Sequence, residues 1–343
     1  PAEHGHDAVA AVKAIAEGHS KALVCLGGNL AVAMSDPQAT FAAMRKLDLA
    51  VHIATKLNRS NLIPARQAFL LPCLGRTEVD IQASGPQTVT VEDSMSMVHA
   101  SQGRLRPASE HLRSEPAIVA LLARATLPDS RVDWEGMVAD YDRIRDGIES
   151  VFPMFANYNE RIREPGGFWL ENPATHRRWN TPDGKAHFLL APALDNDAAP
   201  GAGSVLKLAT IRSHDQYNTS IYGFEDRYRG VKGRRDVVFV NPQDLADRGL
   251  REGQRIDIES VRDDGAPTGR IVRGFVAVPF DIARGSAAMY FPEGNALVAL
   301  EDHDQRSGTP GYKSIPVRLR ASAVPDAQRA QAVPAAAVED AAR

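Results

Sequence analysis

An α/β domain followed by a small, mostly-β barrel domain is the fold class that this sequence predicts. Three observations carry the prediction. Helix-like and strand-like patterns alternate through the first part of the chain. The stretch "APALDNDAAPGAGS" then interrupts them with small, Pro- and Gly-rich residues. Beyond it come short alternating segments with a single helix among them. These shifts place an α/β domain over 1–180, a linker over 181–203, a barrel over 204–322 and a disordered, Ala-rich tail over 323–343.

The elements follow in order. Val9, Val12, Ile15 and Ala16 recur at helical spacing, so a helix is expected near 6–18. "KALVCLGGN" is a short buried strand that ends on glycines. "DPQATFAAMRKL" is a helix with Asp36 as its cap and Pro37 in the first turn. "DLAVHIAT" and "QAFLLP" are further strands, and the β-α-β order implies parallel pairing with right-handed crossovers. "SEPAIVALLARATL" is an amphipathic helix. So is "DWEGMVADYDRIRDGIESVF", with a stripe of Trp134, Met137, Val138, Tyr141 and Ile144. From Pro153 to about Pro200 the pattern breaks up, leaving one short strand. After the linker come "VLKLATI", "DVVFVN", "RIDIESV", "RIVRGFVAV", "GSAAMYF" and "SIPVRLR" as strands. The helix "NPQDLADRGL" is capped by Asn241, opened by Pro242 and stopped at Gly249.

Composition excludes several function classes. Apolar and charged fractions of 43 % and 24 % are those of an ordinary globular protein. A net charge of −3 argues against a nucleic-acid partner, and no apolar run is long enough to span a bilayer. Cys25 and Cys73 lie in apolar strands, read as buried reduced thiols, and favour a cytoplasmic location. The chain lacks an initiator Met and opens directly on a helix, so it reads as the C-terminal piece of a longer polypeptide.

Candidate chemistry is sparse. Gly27, Gly28 and Asn29 sit at the carboxyl end of a strand, where open α/β sheets bind ligands. They form either a ligand-approaching turn or a plain tight turn. Thr55, Lys56 and Asn58 leave the end of the next strand, as a second lip of such a crevice or as a solvated loop. His4 and His6 have metal-ligand spacing, but nothing completes a site, and Glu78 with Asp80 defines no acid–base pair. The segment "SHDQYNTSIYGFEDRYRG" is the richest. From Arg212 to Arg235 the chain carries six basic and three acidic residues. Tyr217, Ile221, Tyr222 and Phe224 are costly to spend on water. Such a loop suits a large anionic ligand or a domain contact.

Seven segments, in order, resemble the molybdopterin oxidoreductase superfamily of dimethyl sulfoxide reductase type. "KALVCLGGNLAVAMSDP", "QAFLLPCLGRTEVD" and "WNTPDGKAHF" are similar to its α/β domain. "TIRSHDQYNTSIYG", "NPQDLADRGLREGQRIDIES", "AMYFPEGNALV" and "SGTPGYKSIPVRLR" are similar to its C-terminal domain. The nearest resemblance is to the C-terminal half of formate dehydrogenase-like alpha subunits.

That resemblance implies a Rossmann-like domain followed by a double-psi β-barrel, closing over molybdenum bis(molybdopterin guanine dinucleotide). It implies that Gly27, Gly28, Asn29, Thr55, Lys56 and Asn58 hold a guanosine diphosphate end. Arg212, Ser213, His214, Gln216, Tyr217, Asn218 and Thr219 would line a pterin and its phosphates, with Asn295 and Lys313 reaching it from the barrel. "TKLNRSN" departs from many relatives in lacking an acidic residue that reads guanine. The family's [4Fe-4S] cysteines, metal ligand and catalytic His lie in its N-terminal half, so no catalytic or metal-ligating residue is expected here. The implied partners are that N-terminal half, an electron-transfer subunit and a small-molecule substrate. The competing readings are a degenerate structural subunit without molybdenum, and a binder of another nucleotide or a protein.

Overall fold

The computed structural model describes residues 5–189, 205–262 and 264–324. Most of the expected linker, nearly all of the expected tail and His4 lie outside the described residues.

The first part forms around a parallel sheet of β1 (Ala22–Leu26), β2 (Leu49–Ala54) and β3 (Gln67–Pro72), in that spatial order. Val24, Val51 and Phe69 stand side by side in its register. Helix α1 (Ala8–Ala16) is capped by Asp7, which accepts from the Ala10 N–H. After the short α2 (Leu30–Ala33), α3 (Pro37–Met44) starts as the sequence dictates, with Asp36 accepting from the Ala39 N–H. Val9, Val12 and Ile15 of α1 pack with Ala43, Met44 and Leu47 in one core cluster. Helix α4 (Glu115–Thr126) supplies Ile118 to a second cluster with Val51, Ile53 and Cys73.

Between β3 and the barrel, short strands appear that the sequence pattern does not announce. They are β4 (Ile81–Gln82), β5 (Gly85–Pro86), β6 (Val89–Glu92) and β7 (Met97–Ser101). The one short strand expected after Pro153 is β8 (Phe168–Trp169), which pairs onto β7. The helix expected through 133–152 is in fact two, α5 (Trp134–Ala139) and α6 (Asp142–Val151). Asp140 between them is extended. Tertiary bonds claim Tyr141: its N–H donates to Gln87 Oε1 at 2.8 Å and its hydroxyl meets Ser114 Oγ and Asp80 Oδ2. Helix propensity loses to that buried network. The short α7 (Tyr158–Arg161) then packs Tyr158 edge-on against Phe168.

The second part is a closed barrel. Its strands are β9 (Leu206–Ile211), β14 (Val237–Val240), β15 (Arg255–Val261), β16 (Pro267–Pro279), β17 (Ser286–Tyr290) and β18 (Ile315–Ala321). All six are the strands read from the sequence, in the spatial order β14-β16-β15-β18-β9-β17. β14–β16 and β17–β9 are parallel joins and the others antiparallel. Leu206, Leu208, Val238, Ile256, Ile258, Met289 and Val317 fill the interior, and each such side chain contributes about 1.5–3 kcal/mol by leaving water. Two hairpins branch from the barrel between β9 and β14: β10 (Gln216–Tyr217) with β11 (Ser220–Ile221), and β12 (Glu225–Asp226) with β13 (Val231–Lys232). Helix α8 (Pro242–Ala246) is capped by Asn241, as expected.

One seam fixes the barrel against the sheet. Asn295 Nδ2 donates to the Val32, Ala33 and Met34 carbonyls, and the Tyr312 hydroxyl donates to Ala33 O at 2.8 Å. Asp36 takes an ion pair from Arg270 at 2.6 Å while its N–H donates to Val298 O. The loop after α2 is therefore gripped by three separate barrel segments.

Candidate functional site

The loops that leave β1 and β2 meet at the carboxyl edge of the sheet. Gly27 turns there with φ +65°, the left-handed conformation that favours glycine, and a Cβ on it would lie 3.2 Å from the flexible tip of Glu115, at Oε1. The second loop is bolted to the first. Asn58 Nδ2 donates to Gly28 O at 3.2 Å, and the buried Ser60 hydroxyl donates to Asn29 Oδ1 at 3.0 Å. Asn58 also caps the turn 59–62, accepting from the Ser60 N–H while Asn61 Oδ1 accepts from the Asn58 N–H.

These loops face the barrel across a cavity of about 660 Å³. Asn29, Asn58 and Arg59 line it from the sheet, and Thr219, Ile221, Pro292 and Glu293 line it from the barrel. A smaller cavity of about 270 Å³ adjoins it through Leu57, lined by Thr55, Lys56, Asn61 and His52. His52 lies buried in β2 with neither ring nitrogen bonded among the described residues. Burial lowers its pKa, so the ring is neutral at pH 7.

On the barrel side the hairpin β10–β11 is held by one arginine. Arg235, nearly buried, donates to Ser213 Oγ at 2.7 Å, to Gln216 Oε1 at 3.1 Å, to Phe291 O and to both oxygens of Glu293. Its guanidinium also lies 4.7 Å from the Tyr290 ring centroid. Gln216 is saturated: its oxygen also accepts from the Ser213 N–H and hydroxyl, and its nitrogen donates to Asn218 O and Phe291 O. The second hairpin is anchored by Asp226, buried and bonded to Tyr290 Oη and Arg229, both at 2.7 Å. Burial alone would raise the Asp226 pKa, but the bonds from Arg229 and Tyr290 outweigh it and hold the carboxyl low.

Comparison with known proteins fits this geometry. Residues 206–316, nearly the whole barrel, match the molydopterin dinucleotide binding domain. Those residues belong to the molydopterin dinucleotide binding domain family. The chain is 52 % identical over 322 residues to protein YdeP of Escherichia coli K12, and 46 % identical over 327 residues to an uncharacterized oxidoreductase of Mycobacterium tuberculosis. Each match covers 94 % of this chain and 42 % of the relative, so the chain spans less than half of their length. Its fold is similar to part of acetylene hydratase from Pelobacter acetylenicus, with a TM-score of 0.56 at 16 % identity, over 92 % of this chain and 46 % of that one.

Within this geometry, the residues singled out from sequence separate into groups. Asn29, Asn58 and Thr219 line the larger cavity, and Thr55 and Lys56 line the smaller one. Gly27 and Gly28 shape the turn behind Asn29. Tyr217 is exposed and lines neither cavity, and Asn218 turns its hairpin with φ +49°. Ser213 and Gln216 are braces under Arg235. Asn295, fully buried, grips the loop after α2, and Lys313 Nζ donates to Thr210 O. Arg212 and His214 bond within the hairpin loops.

Sequence reasoning missed His52 and the Arg235–Glu293 pair. The only signal for Arg235 was its place in the basic run, since its partner lies 58 positions away. Among the described residues no group of three or more His, Cys, Asp or Glu is placed to hold a metal ion, and no helix is long and apolar enough to cross a membrane. Burial pushes both cysteine thiols up, so neither is a nucleophile at pH 7.

Proposed function

We propose that this chain is the C-terminal, cofactor-binding portion of a molybdenum-dependent oxidoreductase of formate dehydrogenase-like type. The carrying observation is convergence. Segments near residues 29, 58 and 219, each singled out separately, face one cavity of about 660 Å³ between sheet and barrel. Its donor set fits a dinucleotide: Asn29, Asn58 and Thr219 offer amide and hydroxyl groups, and Arg59 offers positive charge for phosphate. The walls are apolar at Phe41, Leu57, Leu62 and Ile221, which suits ring faces.

In this reading residues 1–180 are the Rossmann-like domain and 204–322 the double-psi barrel, with bis(molybdopterin guanine dinucleotide) across their crevice. Thr55 and Lys56 hold a phosphate or base edge in the adjoining cavity. Arg235 and Asn295 act one step back, keeping the hairpin and the sheet loop at fixed separation. The bound group supplies two-electron redox chemistry at its metal. The metal ligand, the [4Fe-4S] cluster and the catalytic His come from the rest of the longer polypeptide, as do contacts to an electron-transfer subunit and a small-molecule substrate. The inert buried thiols of Cys25 and Cys73 suit a reducing, cytoplasmic setting.

A specific observation favours the alternative, a non-catalytic structural relative. The Ser213, Gln216 and Lys313 side chains and the Asn295 amide nitrogen are bonded internally rather than left for a ligand. The decisive experiment is nucleotide release from full-length protein: acid treatment and oxidation, then chromatography for guanosine monophosphate and fluorescent pterin. Both products are expected, in about equal amounts. Their absence from fully expressed protein leaves the structural alternative.

A further inference from the structure

The parallel sheet has two outer strands, and their free edges are finished differently. In β1 every second residue turns its backbone toward β2: Lys21 O accepts from the Asp48 N–H, and the Gly27 N–H donates to Ile53 O at 2.8 Å. Ala22, Val24 and Leu26 therefore point their N–H and C=O groups outward, where among the described residues no strand pairs with them. In β3 the outward positions are Ala68, Leu70 and Pro72, since the Gln67 N–H donates to Asp48 O and the Cys73 N–H to Ala54 O. Pro72 has no N–H to offer, and the next outward donor, Leu74, is bonded to Arg113 O at 3.0 Å. Proline and early pairing blunt an edge against further strands. The sequence of β1, "ALVCL", carries neither proline nor charge.

The open edge of β1 adjoins an uncovered face. Val24 and Leu26 share that face with Val51, Ile53, Phe69 and Leu71. Helix α4 covers it through Ile118 as far as β2, so Val51 and Ile53 are buried, while Val24 stays 56 % and Leu26 48 % exposed. A parallel sheet is ordinarily covered on both faces. The opposite face carries α1 and α3, whose apolar residues form one cluster with Leu23 packed against it. Helix α3 lies in the crossover from β1 to β2. Right-handed crossovers over one face advance in one direction across a sheet. A strand leading into α1 must then lie on the side of β1 away from β2, which is the free edge.

We propose that the free edge of β1 is paired in parallel by a strand that precedes α1 in the longer polypeptide, with further upstream chain covering Val24 and Leu26. The relatives leave room for it, since this chain matches only 42 % of their length. The proposal rests on reading the chain as the C-terminal portion of such a polypeptide, and not on the cofactor.

The test is residue-resolved hydrogen exchange on the full-length protein, read at the outward amides of both edges. Val24 and Leu26 should exchange about a hundredfold or more slowly than Ala68 and Leu70, and within about tenfold of Cys25. In a second measurement p-benzoylphenylalanine replaces Val24, and the residue it captures on illumination is mapped by mass spectrometry. The expected product is a cross-link within one chain to a residue upstream of α1. Val24 and Leu26 amides that exchange as fast as Ala68 and Leu70 overturn the proposal, as does a cross-link confined to the 343 residues of this chain. Protection that disappears on dilution, with a cross-link between two chains, also overturns it and assigns the edge to a second copy, which pairs antiparallel about a twofold axis. A native chain of only these 343 residues contradicts the C-terminal reading itself, whereas a longer chain with fast Val24 and Leu26 amides contradicts the added strand alone.

Discussion

The barrel and the parallel sheet are both made of apolar strands, yet they treat those side chains in opposite ways. Strand β9 buries Leu206, Leu208 and Thr210 in strict alternation, and all of β14 is buried. Strand β3 is as apolar in sequence, but Ala68, Phe69 and Leu70 are all exposed, Phe69 at 55 %. A strand apolar on both faces is the pattern of a sheet covered on both sides. The barrel completes itself by closure. The sheet contributes its carboxyl edge to the crevice while its outer strand stays open. The crevice thus joins a self-sufficient wall to one that depends on its neighbours, and the Asn295 seam couples them.

The comparison breaks most visibly at two phenylalanines. Phe239 is buried between Phe280 and Tyr290, and Phe239→Ala should lower unfolding free energy by about 3–5 kcal/mol in denaturant titrations. Phe69→Ala, the same deletion on the open strand, should change it by no more than about 0.5 kcal/mol. Equal losses would show that β3 is covered in solution. Next in size is Arg235→Met, which leaves Glu293 unpaired and Gln216 short of a donor. Partial exposure of Glu293 moderates the loss to about 2–3 kcal/mol.

The seam itself comes third. Asn295→Ala removes the donor shared by three carbonyls, at about 1–3 kcal/mol, and should raise hydrogen exchange in residues 32–36 without touching β15 or β18. The last effect is one of pH. The folded Asp226 carboxyl is held below its ordinary value, so its contribution is present above the unfolded carboxylate pKa and fades as pH falls through the lower folded one. Asp226→Asn should therefore flatten the acid limb of the stability profile while leaving the alkaline limb unchanged.

Barrel strands were legible in the sequence because closure imposes alternation, which a single sequence displays. The Asp36–Pro37 start of α3 was legible because a cap is local chemistry. The two-residue strands near 81–86 carry no such signature, and the break at Asp140 is imposed by Tyr141's distant partners. The site divides the same way. Residue type at strand ends marked Asn29 and Asn58, since polar loops at a carboxyl edge have few structural reasons to be there. Ser213 and Gln216 looked like ligand donors for the same reason. Only the fold reveals that Arg235 occupies them, and that Asn295 is spent on the seam.

The claim at the centre of this account is that the cleft between sheet and barrel holds a molybdopterin dinucleotide. The most direct measurement is molybdenum per chain in the full-length protein, wild type against Arg59→Glu and Thr219→Trp, which reverse a charge and fill space in the larger cavity. The account predicts near-stoichiometric metal in wild type and a loss of about tenfold in both folded variants. Metal content unchanged by either substitution, or absent from wild type, would contradict it.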